Sequence, residues 1–170
     1  MKVITVTGTP GTGKTTIAKK LSKKLNFYYL DVSKLISRNK LYEGYDRKRG
    51  TKVVDVKNLN KFLINYIKQF KKNQYKNKNQ NQIKGMIIDS HISHYLPRKY
   101  VDLCIITKCD IKELNKRLKN KKFNKSKVRE NLQAEIFDVC YNEALGMEHK
   151  ILVVNTTKGF NINRIVNQLG

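Results

Sequence analysis

The 170-residue chain is poor in acid: 13 Asp and Glu stand against 36 Lys and Arg, a formal net charge of +23. Cysteine is scarce too. Cys104, Cys109 and Cys140 lie far apart with no C-x-x-C pair, which argues against a disulfide framework and against a cysteine-type zinc site. No apolar run approaches the ~20 residues needed to cross a bilayer. Val3 to Val6 is apolar, but Gly8, Pro10, Gly11 and Gly13 break it before the central region of a secretory signal can form. Together these absences predict a soluble, cytoplasmic protein with reduced thiols and no membrane partner. The missing acid has two readings. A surface this positive attracts polyanions in a salt-sensitive way, as a protein working on nucleic acid or a ribonucleoprotein would. A drift of composition toward Lys and Asn, visible in "KKNQYKNKNQNQIKG", produces the same number without any such partner.

What is present is enough for one packed domain. Hydrophobic residues make up 39% of the chain, and neither an internal repeat nor a linker divides it. "KVITVT" (Lys2 to Thr7) is short, β-branched and apolar on both faces, as a buried parallel strand is. Lys14 to Leu25 then places Ile17, Ala18, Leu21 and Leu25 on one helical face. "FYYL" reads as a second strand, with Asp31 capping a helix through Leu35 and Ile36. "LYEGYDRKRGTKVVD" has turn residues and no period, which predicts an irregular arm. A helix resumes from about Leu59 and ends in the polar, low-complexity stretch. Gly85 to Asp89 and Val101 to Thr107 are two more strands, and Asp110 with Glu113 resembles a capping box. One long helix carries Val128, Leu132, Ile136, Val139 and Cys140, before the strand "ILVVN" and the helix "NINRIVNQL". The alternation implies an α/β fold, a three-layer sandwich around a mostly parallel five-stranded sheet.

"GTPGTGKTT", Gly8 to Thr16, fits G-x-x-x-x-G-K-[ST] between a strand and a helix, the setting a P-loop NTPase requires. Glycines let backbone amides turn inward around phosphate, and the helix N-terminus adds partial positive charge. Lys14 would reach the β- and γ-phosphates of ATP, the Thr15 hydroxyl would hold Mg²⁺, and Thr16 would contact the α-phosphate. In such folds a neighbouring strand ends in an acid beside the metal, and "GMIID" ending at Asp89 fits. The other reading of Asp89 is a cap for the following turn. His91, two residues on, could orient a water near the γ-phosphate. The His91–His94 spacing raises zinc, but no Cys or His cluster completes a site, and His149 is the only other histidine. His94 is then structural or surface-facing.

The absent N-K-x-D motif disfavours a GTPase, and the chain is short for a motor or transporter ATPase. Small-molecule kinases are compact cores with two arms. Tyr42 to Asp55 suits the arm that covers an acceptor, and the basic "KNKKFNKSK" suits a lid over ATP phosphates.

"GTPGTGKTT", "LYEGYD", "IIDSHISHYLP" and "RENLQAEIFDVCYNEA" together resemble the adenylate kinase isoenzyme six family in its archaeal form, over nearly the whole chain. The resemblance implies a single short-lid kinase domain that transfers phosphate from ATP to AMP and other nucleoside monophosphates. It also implies an ATPase activity used in late maturation of the small ribosomal subunit and its rRNA, with transient binding of the eleventh small-subunit ribosomal protein on the precursor particle by a monomer. Carried over by position, Gly11, Gly13, Lys14, Thr15 and Thr16 match the ATP loop. Asp89 and His91 match an Asp-x-His motif tied to ATP hydrolysis. The acceptor arm runs from about Asp31 to Val54 and the lid from about Asn120 to Glu130. Relatives often carry Arg-Gly where this chain has Lys121-Lys122, so its phosphate clamp is a point charge and its hinge lacks glycine. Arg38 and Arg98 are candidates for the acceptor phosphate or plain surface charge. Arg117 either faces the nucleotide or forms a surface ion pair. A kinase for a small metabolite, such as a sugar acid or shikimate, is the alternative on the same core.

Overall fold

Strand β1 (Lys2–Thr7) runs through the middle of the protein with Val3, Ile4 and Val6 wholly buried. A computed structural model describes residues 1–47, 49–76 and 83–169. After β1 come α1 (Lys14–Leu25), β2 (Tyr28–Asp31), α2 (Val32–Arg38), the short strands β3 (Gly44–Asp46) and β4 (Thr51–Val53), and α3 (Val56–Lys76). The second half holds β5 (Gly85–Asp89), β6 (Leu103–Lys108), α4 (Ile111–Asn120), α5 (Lys125–Ile136), α6 (Val139–Gly146), β7 (Ile151–Asn155) and α7 (Ile162–Asn167).

Five strands pair in the order β2-β5-β1-β6-β7, all parallel, so each connection crosses over a face and both faces are covered. Alternate side chains sort to the two layers. Val3, Leu30, Met86 and Ile88 pack with Leu59, Leu63 and Ile67 of α3 on one side. Ile4, Val6, Ile87 and Ile105 pack with Ile17, Ala18 and Leu21 of α1 and Ile165 of α7 on the other. The expected three-layer α/β sandwich is therefore present, and its register sets Val6, Asp89 and Asp31 level with one another.

The differences from expectation are local. The arm is not irregular: β3 and β4 form an antiparallel hairpin with Tyr45 opposite Lys52. Strands of three residues are too short to show a period of two. Helix α3 begins at Val56 rather than Leu59, because Asp55 Oδ1 accepts from the amides of Lys57 and Asn58. Part of the polar stretch after it, residues 77–82, lies outside the described residues. Strand β6 begins at Leu103 rather than Val101, since Asp102 turns its amide to the Val3 carbonyl and its carboxylate to the Val3 amide. The capping box is half made. Asp110 accepts from the Lys112 and Glu113 amides, but the Glu113 carboxylate is held by Arg117 instead.

The single long helix is two. It stops at Ile136 and restarts at Val139, with Asp138 at φ 52 between them and its carboxylate paired with Lys108. The apolar stripe misled, because Val128 is buried while Ile136 is 57% exposed.

At the lid's start α4 ends in a Schellman turn. The Lys122 amide bonds Lys119 O and the Phe123 amide bonds Leu118 O, with Phe123 packed in the cluster of Leu118. That turn puts Lys122 at φ 55, in the left-handed region, at the very position where the resemblance leads one to expect glycine. A non-glycine residue there costs roughly 1–2 kcal/mol, offset in part by its smaller loss of chain entropy. Lys122→Gly is thus expected to stabilise the protein by about 0.5–1 kcal/mol, read as a raised denaturant midpoint; an unchanged or lowered midpoint would remove the strain argument.

Candidate active site

The turn from Gly8 to Thr16 is drawn by three glycines with positive φ, 131° at Gly8, 97° at Gly11 and 93° at Gly13. At Gly11 the requirement is also spatial, for a Cβ would stand 2.9 Å from Leu114 and 3.0 Å from Leu118 of α4. Gly13 gives α1 no side-chain cap, and the positive end of that helix opens into the loop. Lys14 Nζ donates to the carbonyls of Gly8 at 2.8 Å and Thr9 at 2.9 Å. Desolvation lowers its pKa to about 8, against the raising influence of Cys140, Asp89 and Glu135. A carboxylate within electrostatic reach of that ammonium closes the neighbouring strand.

That carboxylate, Asp89, is 6% exposed and accepts the Tyr29 hydroxyl on Oδ2 at 2.8 Å. Burial, and then this bond, raise the Tyr29 pKa. The turn after Asp89 is closed by the next residue, with the Ile92 amide on Ser90 Oγ and the Ser93 amide on Ser90 O. Ser90, not Asp89, therefore caps this turn, and the Asp89 carboxylate acts on the Lys14 ammonium through its field. Thr15 and Thr16 are exposed at the start of α1. The Thr15 hydroxyl at the start of α1 and the shielded Asp89 carboxylate at the end of β5 are hard oxygen donors of the type Mg²⁺ prefers.

Histidines separate clearly. His91 keeps an exposed surface, yet the protein packed around it, followed by the charges of Lys14, His94 and Lys127, pulls its pKa down to about 4, so its imidazole is neutral at pH 7. His94 is buried, with Nδ1 against Thr7 Oγ1 at 2.8 Å and Nε2 against Glu143 Oε2 at 2.9 Å. Both of its nitrogens are taken by protein groups, so it is structural and leaves no nitrogen for a metal shared with His91.

One cavity lies at the loop and a second beside β2. The first, of about 540 Å³, is lined by Gly11, Gly13, Lys14, Thr15, Thr16, Arg117 and Lys121. Arg117 stands in the wall of this cavity. It forms an ion pair with Glu113 at 2.8 Å, and its guanidinium also donates to Thr156 and Thr157 while lining the cavity wall. The other cavity, about 450 Å³, lies between β2, α2 and α3, where Tyr28, Asp31, Lys34, Arg38 and Tyr66 meet. Tyr28 and Tyr66 share a 2.9 Å hydroxyl contact; burial and that contact raise the Tyr66 pKa to about 12, while nearby Arg38 pulls the other way. Arg98 is elsewhere. It is exposed, four residues before Asp102, which bonds Val3 at the end of β1 opposite the loop.

Sequence reasoning missed Tyr29 and Glu135. Tyr29 could have been found from its i−2 relation to Asp31, which pairs with Asp89. Glu135 stood in plain view as an acid between Ala134 and Ile136, but nothing in its neighbours named a partner.

Loop, acid and paired cavities on a parallel sheet define a P-loop kinase. Residues 4–138 match a family model described as an AAA domain. A protein of Methanocaldococcus jannaschii named "Putative adenylate kinase" is 32% identical over 166 residues, 98% of this chain and 82% of the relative. The "Adenylate kinase isoenzyme 6 homolog FAP7" of Saccharomyces cerevisiae is 32% identical over 152 residues, 89% of this chain and 70% of its own length. A sugar kinase from Janibacter sp. HTCC2649 shares the fold, with a TM-score of 0.62 at 14% identity over 99% of this chain and 92% of that one. The chain belongs to the adenylate kinase isoenzyme 6 family, with the archaeal adenylate kinase-like proteins.

The Lys14 pKa has a consequence for stability. Below pH 8 the lysine is charged in both folded and unfolded chains, and burial of that charge opposes folding. Between about 8 and its ordinary 10.5 the unfolded chain binds more proton, so stability rises with pH. The stability of the wild type relative to Lys14→Met should therefore increase from pH 7 to pH 10 in denaturant titrations; a difference independent of pH would show that Lys14 is not desolvated.

Proposed function

We propose that the protein transfers the γ-phosphoryl group of ATP to AMP and other nucleoside monophosphates. The observation that carries this reading is the pair of cavities on the two sides of Asp89 in the strand order. The loop after β1 borders one of them, and β2 with Arg38 borders the other. ATP in the first cavity would set its β- and γ-phosphates against the loop amides and Lys14. Arg117, with its guanidinium fixed by Thr156 and Glu113, and Lys121 would line the nucleotide's path. Arg38 is better placed than Arg98 to hold the acceptor's phosphate, since Arg98 lies on the return toward the far end of the sheet.

Thr15 and Asp89 would hold Mg²⁺, which supplies charge neutralisation at the phosphates when bound. The protein's own work is orientation and electrostatics. An oxygen of the acceptor's phosphate attacks the γ-phosphorus, the bond to the β–γ bridging oxygen breaks, and ADP leaves the donor side while the acceptor leaves as its nucleoside diphosphate, ADP when it is AMP. Lys14 follows the transferred charge, and Tyr29 keeps Asp89 in one orientation. Closure of the arm over the acceptor and of the lid near Asn120 to Glu130 would exclude water. Arg49 of the arm already reaches Glu130 of the lid at 3.3 Å.

His91, neutral and exposed beside Lys14, supports a second activity on the same site. Such an imidazole can accept a hydrogen bond from a water aimed at the γ-phosphorus when no acceptor is bound. This ATPase step is the one the family resemblance links to small-subunit maturation, through the eleventh small-subunit ribosomal protein.

In a coupled assay, ADP should form faster with AMP than without it; no AMP-dependent rate would refute the kinase reading. Arg38→Ala is expected to raise KM for AMP roughly tenfold or more, as loss of a charge-assisted phosphate contact does, while Arg98→Ala leaves it unchanged. His91→Ala should leave ATP binding nearly intact and slow hydrolysis at least about tenfold, and an unchanged rate would remove it from the mechanism.

A further inference from the structure

Helix α5 follows the lid, and one of its few buried side chains is a carboxylate. Glu135 is 6% exposed, and such a group is costly to strip of water unless its oxygens are bonded. Both are. Oε2 accepts the Thr9 hydroxyl at 2.5 Å, and Oε1 accepts the Cys109 amide at 2.9 Å. Neither partner is a cation, so the carboxylate acts here as an acceptor of two fixed donors.

Thr9 is the hub of the loop. Its carbonyl receives Lys14 Nζ at 2.9 Å, Thr12 Oγ1 at 2.8 Å and the Thr12 amide at 3.2 Å. Cys109 stands at the junction of β6 and α4, the helix whose Leu114 and Leu118 press against Gly11. One buried carboxylate thus joins the loop's first turn to the helix that covers its second. It also ties the last turn of α5 to the loop and to the end of β6.

We propose that Glu135 is a positioning residue for Lys14. Acting through Thr9, it sets the carbonyl on which the ammonium rests and the turn whose amides meet phosphate, without touching the nucleotide itself. The inference rests on the ATP-binding reading above. A bare structural anchor for α5 is the competing account, and it predicts no dependence on the Thr9 hydroxyl.

Thr9→Val removes the hydroxyl at nearly constant volume, and Thr9→Ser restores it. Glu135→Gln can keep the Cys109 bond and donate to Thr9 Oγ1, whereas Glu135→Ala can do neither. Calorimetric titration with Mg·ATP is expected to show Thr9→Val and Glu135→Ala each weakened about tenfold, with Thr9→Ser and Glu135→Gln close to wild type. The double variant Thr9→Val/Glu135→Ala should bind no more weakly than Glu135→Ala alone, because both remove one link. Thr9→Val should melt near the wild-type temperature. Should Glu135→Ala fail to fold, the Val and Ser pair at position 9 decides the question. Wild-type affinity in Thr9→Val, or losses that multiply in the double variant, would overturn the proposal. Absence of Mg·ATP binding by the wild type would instead overturn the nucleotide reading, and this inference with it.

Discussion

A single half-buried ammonium at the carboxyl end of the central strand organises this protein. Lys14 rests on two carbonyls of its own loop, which is turned by positive φ at Gly8, Gly11 and Gly13 and covered at Gly11 by α4. An isolated buried cation is expensive. The surroundings answer with Asp89 and Glu135, the carboxylates whose fields oppose its loss of proton. A phosphate chain would supply far more negative charge than either. The site is therefore arranged around a cation whose charge is only partly satisfied within the protein itself.

The parallel sheet is what brings these groups together. Because β5 and β1 run side by side in the same direction, the residue closing one and the loop leaving the other must meet at the same edge. Val6 pairs with Asp89 and Asp89 with Asp31, so the two cavities and the acid between them follow from register alone. Hydrophobic sorting to α1 and α7 on one face and α3 on the other fixes that register, since a slip of one residue would exchange the two layers.

Much of this was legible in the chain. The loop, the core face of α1, the strand ending at Asp89 and the caps at Asp31 and Asp110 are local patterns with local causes. The parts that escaped depend on distant partners. The break at Phe137–Asp138 is hard to see because Val128 to Cys140 keeps helical spacing, while Asp138 turns aside to meet Lys108 across the sequence. The hairpin of the arm is too short to register as strands. Glu135 and Tyr29 escaped for the same reason: each gains its role from distant partners, Glu135 from Thr9 and Cys109 and Tyr29 from Asp89. Lys122 shows the reverse, a residue whose neighbours demand a left-handed turn and whose identity resists it.

The central claim, that Lys14 is a cation whose charge the protein satisfies only in part and phosphate completes, is tested most directly by the protons that accompany nucleotide binding. Titrating Mg·ATP into the protein at pH 8, in two buffers of different ionisation enthalpy, measures them. With a Lys14 pKa of about 8, phosphate contact should draw in about half a proton per site, falling toward none at pH 6. Binding with no proton uptake at pH 8, or no binding heat in either buffer, would contradict the account.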